Sequence, residues 1–225
     1  MNIFDRIGFH IQNNNRNINT FHKCISAIFA LMRNQSLTGK TLQKTLILLK
    51  EISSDFNESG VDYWMEGGTL LGIIRENRLL PWDHDIDFSV NIDHVDLVLS
   101  CLQNLRKKGY RIEYFRYDFD IGPFKKGMPR IIKIRNTVLK YIGGDASADI
   151  FFKKNVNGKY FWTTDYTILK STPSIFCKNT IGYTFNKHKI KIPAKYEDYL
   201  ACRYGCDWRI PKKDYCRQTD DLAIV

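Results

Sequence analysis

Three aspartates at alternate positions, Asp83, Asp85 and Asp87, interleaved with His84, Ile86 and Phe88, limit what this chain can fold into. In an extended strand, residues two apart project from the same face, with Cα atoms about 6.5–7 Å apart. Asp is a poor strand former, so three of them in alternation need a physical reason. Ile86 and Phe88 make the opposite face apolar, which places the strand in a sheet. The pattern therefore predicts a strand over 83–90 displaying three carboxylates at one end. Like charges so close repel unless a cation sits among them. Hard divalent ions such as Mg²⁺ or Mn²⁺ prefer oxygen ligands and work beside substrate phosphates. His84 alternates with the aspartates and is expected on the other side of the strand.

About sixteen residues earlier, Gly67-Gly68-Thr69 follows an apolar run, Val61 to Met65, and precedes Leu70 to Arg75. A strand, a glycine turn and a helix are expected in that order. Glycines let a backbone approach a ligand closely, and the N–H groups at a helix start bind phosphate oxygens. Thr69 could add a hydroxyl donor, and Arg75 could bring a planar fork to the same phosphates. Asp149, ahead of Ile150-Phe151-Phe152, is a further carboxylate entering an apolar strand.

The rest of the chain reads as one mixed domain. Leu42, Leu46, Leu49 and Phe56 recur at helical spacing and predict an amphipathic helix over 40–56, ended by Gly60. A second helix is expected over 94–107, capped by Asp93. From 110 to 192 the pattern turns to strands: 110–117, 131–135, 138–142, 149–152, 160–162 and 181–192. A short helix is expected over Tyr196 to Tyr204. Residues 1–20 are polar and Asn-rich, and Ile25 to Met32 is a short apolar stretch beside basic residues. That stretch could lie in a membrane interface or pack on the domain.

The net charge of +10 is dispersed, with no Lys/Arg run longer than three. This suits anionic small molecules or the inner membrane leaflet, and three adjacent aspartates would repel a nucleic-acid backbone; nucleic acid is not an expected partner. The six cysteines lack paired zinc-type spacing and read as free thiols of a cytoplasmic protein. Trp82 and Trp208 read as core residues, with stacking on a cytosine the alternative.

Taken together, Met65 to Arg75, followed by Leu80-Pro81-Trp82-Asp83-His84-Asp85-Ile86-Asp87, resembles the core signature of the LicD/fukutin-related family, a branch of the nucleotidyltransferase-like fold. Ala148-Asp149-Ile150-Phe151 is similar to its later carboxylate strand, and Pro193 to Trp208 to its C-terminal segment. The resemblance covers roughly 60–210. It implies an α/β (α+β) domain over 59–225, a mixed sheet with flanking helices, preceded by an N-terminal helical extension over 1–58. It also implies metal ligation by Asp85, Asp87 and Asp149, with Asp83 as an additional catalytic acid. Gly67, Gly68, Thr69 and Arg75 would hold phosphate. The activity implied is phosphotransfer: a phospho-alcohol, phosphocholine or an alditol phosphate, moves from a CDP-linked donor to a sugar hydroxyl of a glycan or glycolipid acceptor. Peripheral contact with the inner leaflet would fit a lipid-linked acceptor. Nucleotidyl transfer with release of pyrophosphate, and glycosyl transfer, are the alternatives. Phe151-Phe152-Lys153-Lys154 departs from the family, which often has a proline and another acid there.

Overall fold

The computed structural model describes residues 36–138, 142–165, 167–213, 215–216 and 218–225. The Asn-rich start and the stretch Ile25 to Met32, with the membrane contact expected of it, lie outside the described residues. Among the described residues, no helix is long and apolar enough to cross a membrane. The described cysteines are free thiols.

Helix α1 (Gly39–Glu58) leads into strand β1 (Tyr63–Met65), helix α2 (Gly67–Glu76) and strand β2 (Ile86–Asn91). Helix α3 (Val95–Lys107) and strands β3 (Arg111–Arg116), β4 (Pro129–Val138) and β5 (Ile142–Val156) follow. Strands β6 (Lys159–Thr164), β7 (Ile168–Pro173), β8 (Thr180–Phe185) and β9 (His188–Pro193) precede helix α4 (Tyr196–Tyr204). The main sheet runs β1-β2-β5-β4-β3; β5 continues beyond it to pair with β6, which pairs with β7. β2 and β5 are parallel, whereas the other pairs are antiparallel. β8 and β9 form a separate hairpin. The mixed sheet with flanking helices is the architecture expected from the sequence.

One period explains the layering. On β2, Ile86, Phe88 and Val90 are fully buried, and on β5 so are Ala148, Ile150 and Phe152. The parallel register places Ile86 beside Ala148 and Phe88 beside Ile150, so these six side chains share a face. Against them pack Leu48, Leu49, Ile52 and Phe56 of α1 and Val98, Leu102 and Leu105 of α3, all in one core. Phe56, Tyr63 and Phe88 make tilted and edge-on ring contacts with centroids 5.4–6.1 Å apart. The helix assigned from sequence to an N-terminal extension thus shares its core with the sheet. The intervening residues of β2 and β5, among them Asp87 and Asp149, are left for the opposite face.

Several boundaries differ from the sequence expectation. β2 starts at Ile86, so Asp83 and Asp85 lie in the segment that enters it from the Pro81-Trp82 turn. α2 begins at Gly67, with both glycines in its first turn. Asp93 does not cap α3, whose N-cap position is His94 with no side-chain cap bond; a 3₁₀ turn at Ile92–His94 precedes the helix, and Asn91 caps that turn, its Oδ1 accepting from the Asp93 N–H at 3.2 Å. Of the strand expected over 138–142, Val138 closes β4 and Ile142 opens β5, and the three residues between them lie outside the described residues. β7 was not expected, and 181–192 resolves into two strands.

Two hairpins turn through paired left-handed residues. Asn157 (φ 50°) and Gly158 (φ 78°) join β5 to β6, and Asn186 (φ 47°) and Lys187 (φ 67°) join β8 to β9. This type of turn needs positive φ at both central positions and favours Asn-Gly. A left-handed conformation costs a residue with a Cβ about 1–2 kcal/mol. Lys187→Gly is therefore expected to stabilise the protein by about 1 kcal/mol, read as a higher denaturation midpoint with an unchanged slope.

Candidate active site

The parallel register of β2 and β5 sets Asp87 directly beside Asp149. Asp85, one residue ahead of β2, completes a group in which one carboxylate oxygen from each lies within 4.8 Å of the others. Burial, then the neighbouring charges of Asp85, Asp149, Asp83 and Glu66, push the Asp87 carboxyl well above the ordinary carboxylate range. Three converging oxygens with so unfavourable a mutual field fit a hard divalent cation, which would relieve the repulsion. Asp149 is buried and ion-paired to Lys133, its cross-strand neighbour on β4. A line of Asp87, Asp149 and Lys133 thus crosses three strands.

The first turn of α2 lies against these carboxylates. A Cβ on Gly67, whose φ is 55°, would come within 2.9 Å of Asp87 Oδ2; one on Gly68 would come within 2.3 Å of Asp83 Oδ2. Both contacts are too close for a side chain, so glycine is needed for the acids to reach the helix start. The N–H groups of a helix's first turn and the positive end of its dipole favour anions. Gly68→Ala is expected to leave the fold intact but displace Asp83, lowering the activity proposed below at least tenfold; activity and circular dichroism on the same sample check both halves.

The other expected phosphate ligands have different surroundings. Thr69 is buried, and its Oγ1 accepts the Asp87 N–H at 2.9 Å, fastening α2 to β2. Arg75 lines the cleft, but its Nε and Nη2 donate to Glu76 Oε1 at 3.1 and 2.6 Å and its Nη1 to the Trp208 carbonyl at 3.4 Å. His84, which precedes the strand, is among the residues that line the cleft. Trp208 is buried as expected, whereas Trp82 stands 58% exposed at the mouth.

The cleft, about 570 Å³, also has a charged wall. Glu66, which precedes α2, is buried and accepts from Trp64 Nε1 (3.2 Å), Ser89 Oγ (2.8 Å), Lys153 Nζ (2.6 Å), Tyr199 Oη (2.5 Å) and Arg203 Nη1. Burial alone would raise its carboxyl, but Lys153 and Arg203 hold it far below the ordinary range. Arg203 continues to Asp221 through Nε (2.9 Å) and Nη2 (2.6 Å), and Asp221 also takes Lys170 Nζ at 2.7 Å. Burial would raise the Asp221 carboxyl too, yet Arg203 and Lys170 hold it at about 2. Sequence reasoning missed Glu66, Lys133, Lys153, Lys170, Arg203 and Asp221. Each contact joins distant elements, and the only local hint was a glutamate directly before Gly-Gly.

A family profile described as LicD/FKTN/FKRP, nucleotidyltransferase domain, matches residues 60–195. That span contains α2, all four aspartates and the main sheet. The chain belongs to this family. Among relatives, the ribitol-5-phosphate transferase FKTN of Macaca fascicularis is 25% identical over 176 residues, covering 75% of this chain and 34% of its own length. The Homo sapiens protein of that name is 24% identical over 176 residues, with the same shares. The ribitol 5-phosphate transferase FKRP of Mus musculus is 46% identical over 37 residues, 16% of this chain and 8% of its own. The LicD-family chain described here thus spans about a third of the length of the FKTN relatives. Among solved structures, the lincosamide adenylyltransferase LnuA with bound lincomycin is 18% identical. The match covers 74% of this chain and 86% of that one, with a TM-score of 0.41.

Proposed function

We propose that this LicD-family domain is a metal-dependent phosphotransferase that moves a phospho-alcohol from a CDP-linked donor to a sugar hydroxyl of a glycan or glycolipid, releasing CMP. The observation that carries the reading is the convergence of Asp85, Asp87 and Asp149 within 4.8 Å, beside a glycine-opened helix start, in one cleft. Family membership and relatives named as ribitol-5-phosphate transferases support it, and they favour an alditol phosphate over phosphocholine as the group transferred.

Asp85, Asp87 and Asp149 would hold Mg²⁺ or Mn²⁺, which would neutralise charge on the transferring phosphoryl group. The N–H groups of the first turn of α2, at Gly67 and Gly68, steady phosphate oxygens of the donor. Asp83, which lies outside the three-oxygen group, orients the acceptor hydroxyl and takes its proton. The hydroxyl oxygen bonds to the phosphorus bearing the alcohol. The bond from that phosphorus to the CMP oxygen breaks, and CMP leaves with the electron pair. A cytoplasmic site facing the inner leaflet is part of the same proposal, supported by the net charge of +10.

Donor turnover tests this reading. Purified protein with Mg²⁺, a panel of CDP-alcohols and nucleotide-sugars, and a glycan acceptor should release CMP from one CDP-alcohol only. Release of UDP or GDP would assign glycosyl transfer, and pyrophosphate from a nucleoside triphosphate would assign nucleotidyl transfer.

A further inference from the structure

Lys133 stands beside the carboxylate group and has no part in the proposed reaction. The sheet itself puts it there. Antiparallel pairing of β4 with β5 sets Lys133 opposite Asp149, and parallel pairing of β5 with β2 sets Asp149 opposite Asp87. Its neighbours Ile132 and Ile134 are buried in the core, so Lys133 belongs to the side of the sheet that carries the acids. On its other flank the register brings Glu113 of β3, whose Oε1 accepts from Arg111 Nη2 at 2.6 Å. With a carboxylate in each adjacent strand, the Lys133 ammonium donates to Asp149 Oδ2, its one polar contact among the described residues. The Asp149 side chain is 8% exposed and that of Lys133 31%. A carboxylate so enclosed has little water to replace a lost partner, so it holds the ammonium firmly.

This contact limits what the group can bind. Sites with two metal ions hold them about 3.5–4 Å apart, spanned by carboxylates that give one oxygen to each ion. Asp149 has one oxygen occupied by Lys133 and one left to offer. A second divalent ion on that side would also meet the ammonium at close range, and like charges in a partly enclosed site repel strongly. We propose that Lys133 is a positioning residue that stands in for a second metal ion and fixes the capacity of Asp85, Asp87 and Asp149 at one divalent ion. This role rests on the metal-dependent reading above. It divides the work of Asp149 between its two oxygens, one for the ion and one for Lys133.

Mn²⁺ titration of the full chain without nucleotide, followed by electron paramagnetic resonance, counts the ions and needs no turnover. Wild type should bind a single Mn²⁺ with an uncoupled spectrum, and Asp87→Asn should lose that ion. Lys133→Met keeps much of the stem and removes the charge. It should raise the count from one ion to two, with the spin coupling expected of ions about 4 Å apart. Lys133→Arg restores the charge and should return the count to one. A coupled pair in wild type would overturn the proposal, and so would a folded Lys133→Met protein that still binds one ion. Circular dichroism checks the fold of each variant, and Lys133→Gln makes the same comparison where methionine is not accepted. Mn²⁺ binding indifferent to Asp87→Asn would defeat the metal reading itself and the role of Lys133 with it, a result distinct from a coupled pair.

Discussion

Asp87→Asn should reduce transfer by about a thousandfold or more while making the metal-free protein more stable. The two halves have one cause. Charge stabilisation of a phosphoryl transition state by a bound divalent ion is worth several kcal/mol, and each 1.36 kcal/mol is tenfold in rate. The same carboxylate is a liability without the ion, because burial and the charges of Asp85, Asp149 and Asp83 raise its pKa in the folded state. A carboxyl raised on folding binds its proton more tightly in the native than in the unfolded chain. Stability is then lost as pH rises above the unfolded value near 3.8. In chelator, wild type should melt lower at pH 7.5 than at pH 5, and Asp87→Asn should flatten that difference. With Mg²⁺ the order reverses, since only the wild-type site gains binding energy. Thermal unfolding at two pH values, with and without Mg²⁺, reads all of this. An active Asp87→Asn protein, or a wild type whose melting ignores Mg²⁺, would defeat the metal assignment.

Glu66→Ala is expected to damage the fold itself. Removing one partner of a buried ion pair costs about 3–5 kcal/mol because the surviving charge is left uncompensated. Here Lys153, with no exposed side-chain surface, and Arg203 both lose their pairing with Glu66. For a chain of this size that corresponds to a melting temperature lower by about 6–20 °C. Glu66→Gln keeps most of the hydrogen-bonding shape and should fall between the two. A melting temperature for Glu66→Ala within a degree or two of wild type would mean that water or a shifted side chain takes the place of the carboxylate.

The difference between these two residues also marks what the sequence could disclose. Asp83, Asp85 and Asp87 were legible because their spacing is local and their residue type is wrong for an ordinary strand. The core faces of β2 and α1 were legible because burial follows a period that a reader can count. Asp149 stood out only as an acid entering an apolar run and through the family resemblance. Lys133 could not be found, since its contact with Asp149 depends on the β4–β5 register. Glu66, Lys153, Arg203 and Asp221 are buried charges, which in a sequence look like surface charges until their partners are known. Strand β7 was missed for a related reason: Lys170 and the neighbouring Ser171 and Thr172 look solvated, yet Lys170 is buried against Asp221. The early start of α2 eluded the propensity argument because glycine opens a helix there to admit two carboxylates.

Asp87 and Asp149 sit side by side because two parallel strands hold them in step, while the chain between them makes a long detour through α3, β3 and β4. Lengthening the α3–β3 or β3–β4 connections would leave the two acids where they are, so those connections are natural places for relatives to diverge or for engineers to graft new segments. One extra residue between Ala146 and Asp149 would have the opposite effect. The pleat would turn Asp149 toward the helices and present an apolar side chain to Asp87. Tolerance to insertion along this chain should therefore change abruptly at the start of that short stretch of β5, with no gradient between permissive and lethal positions.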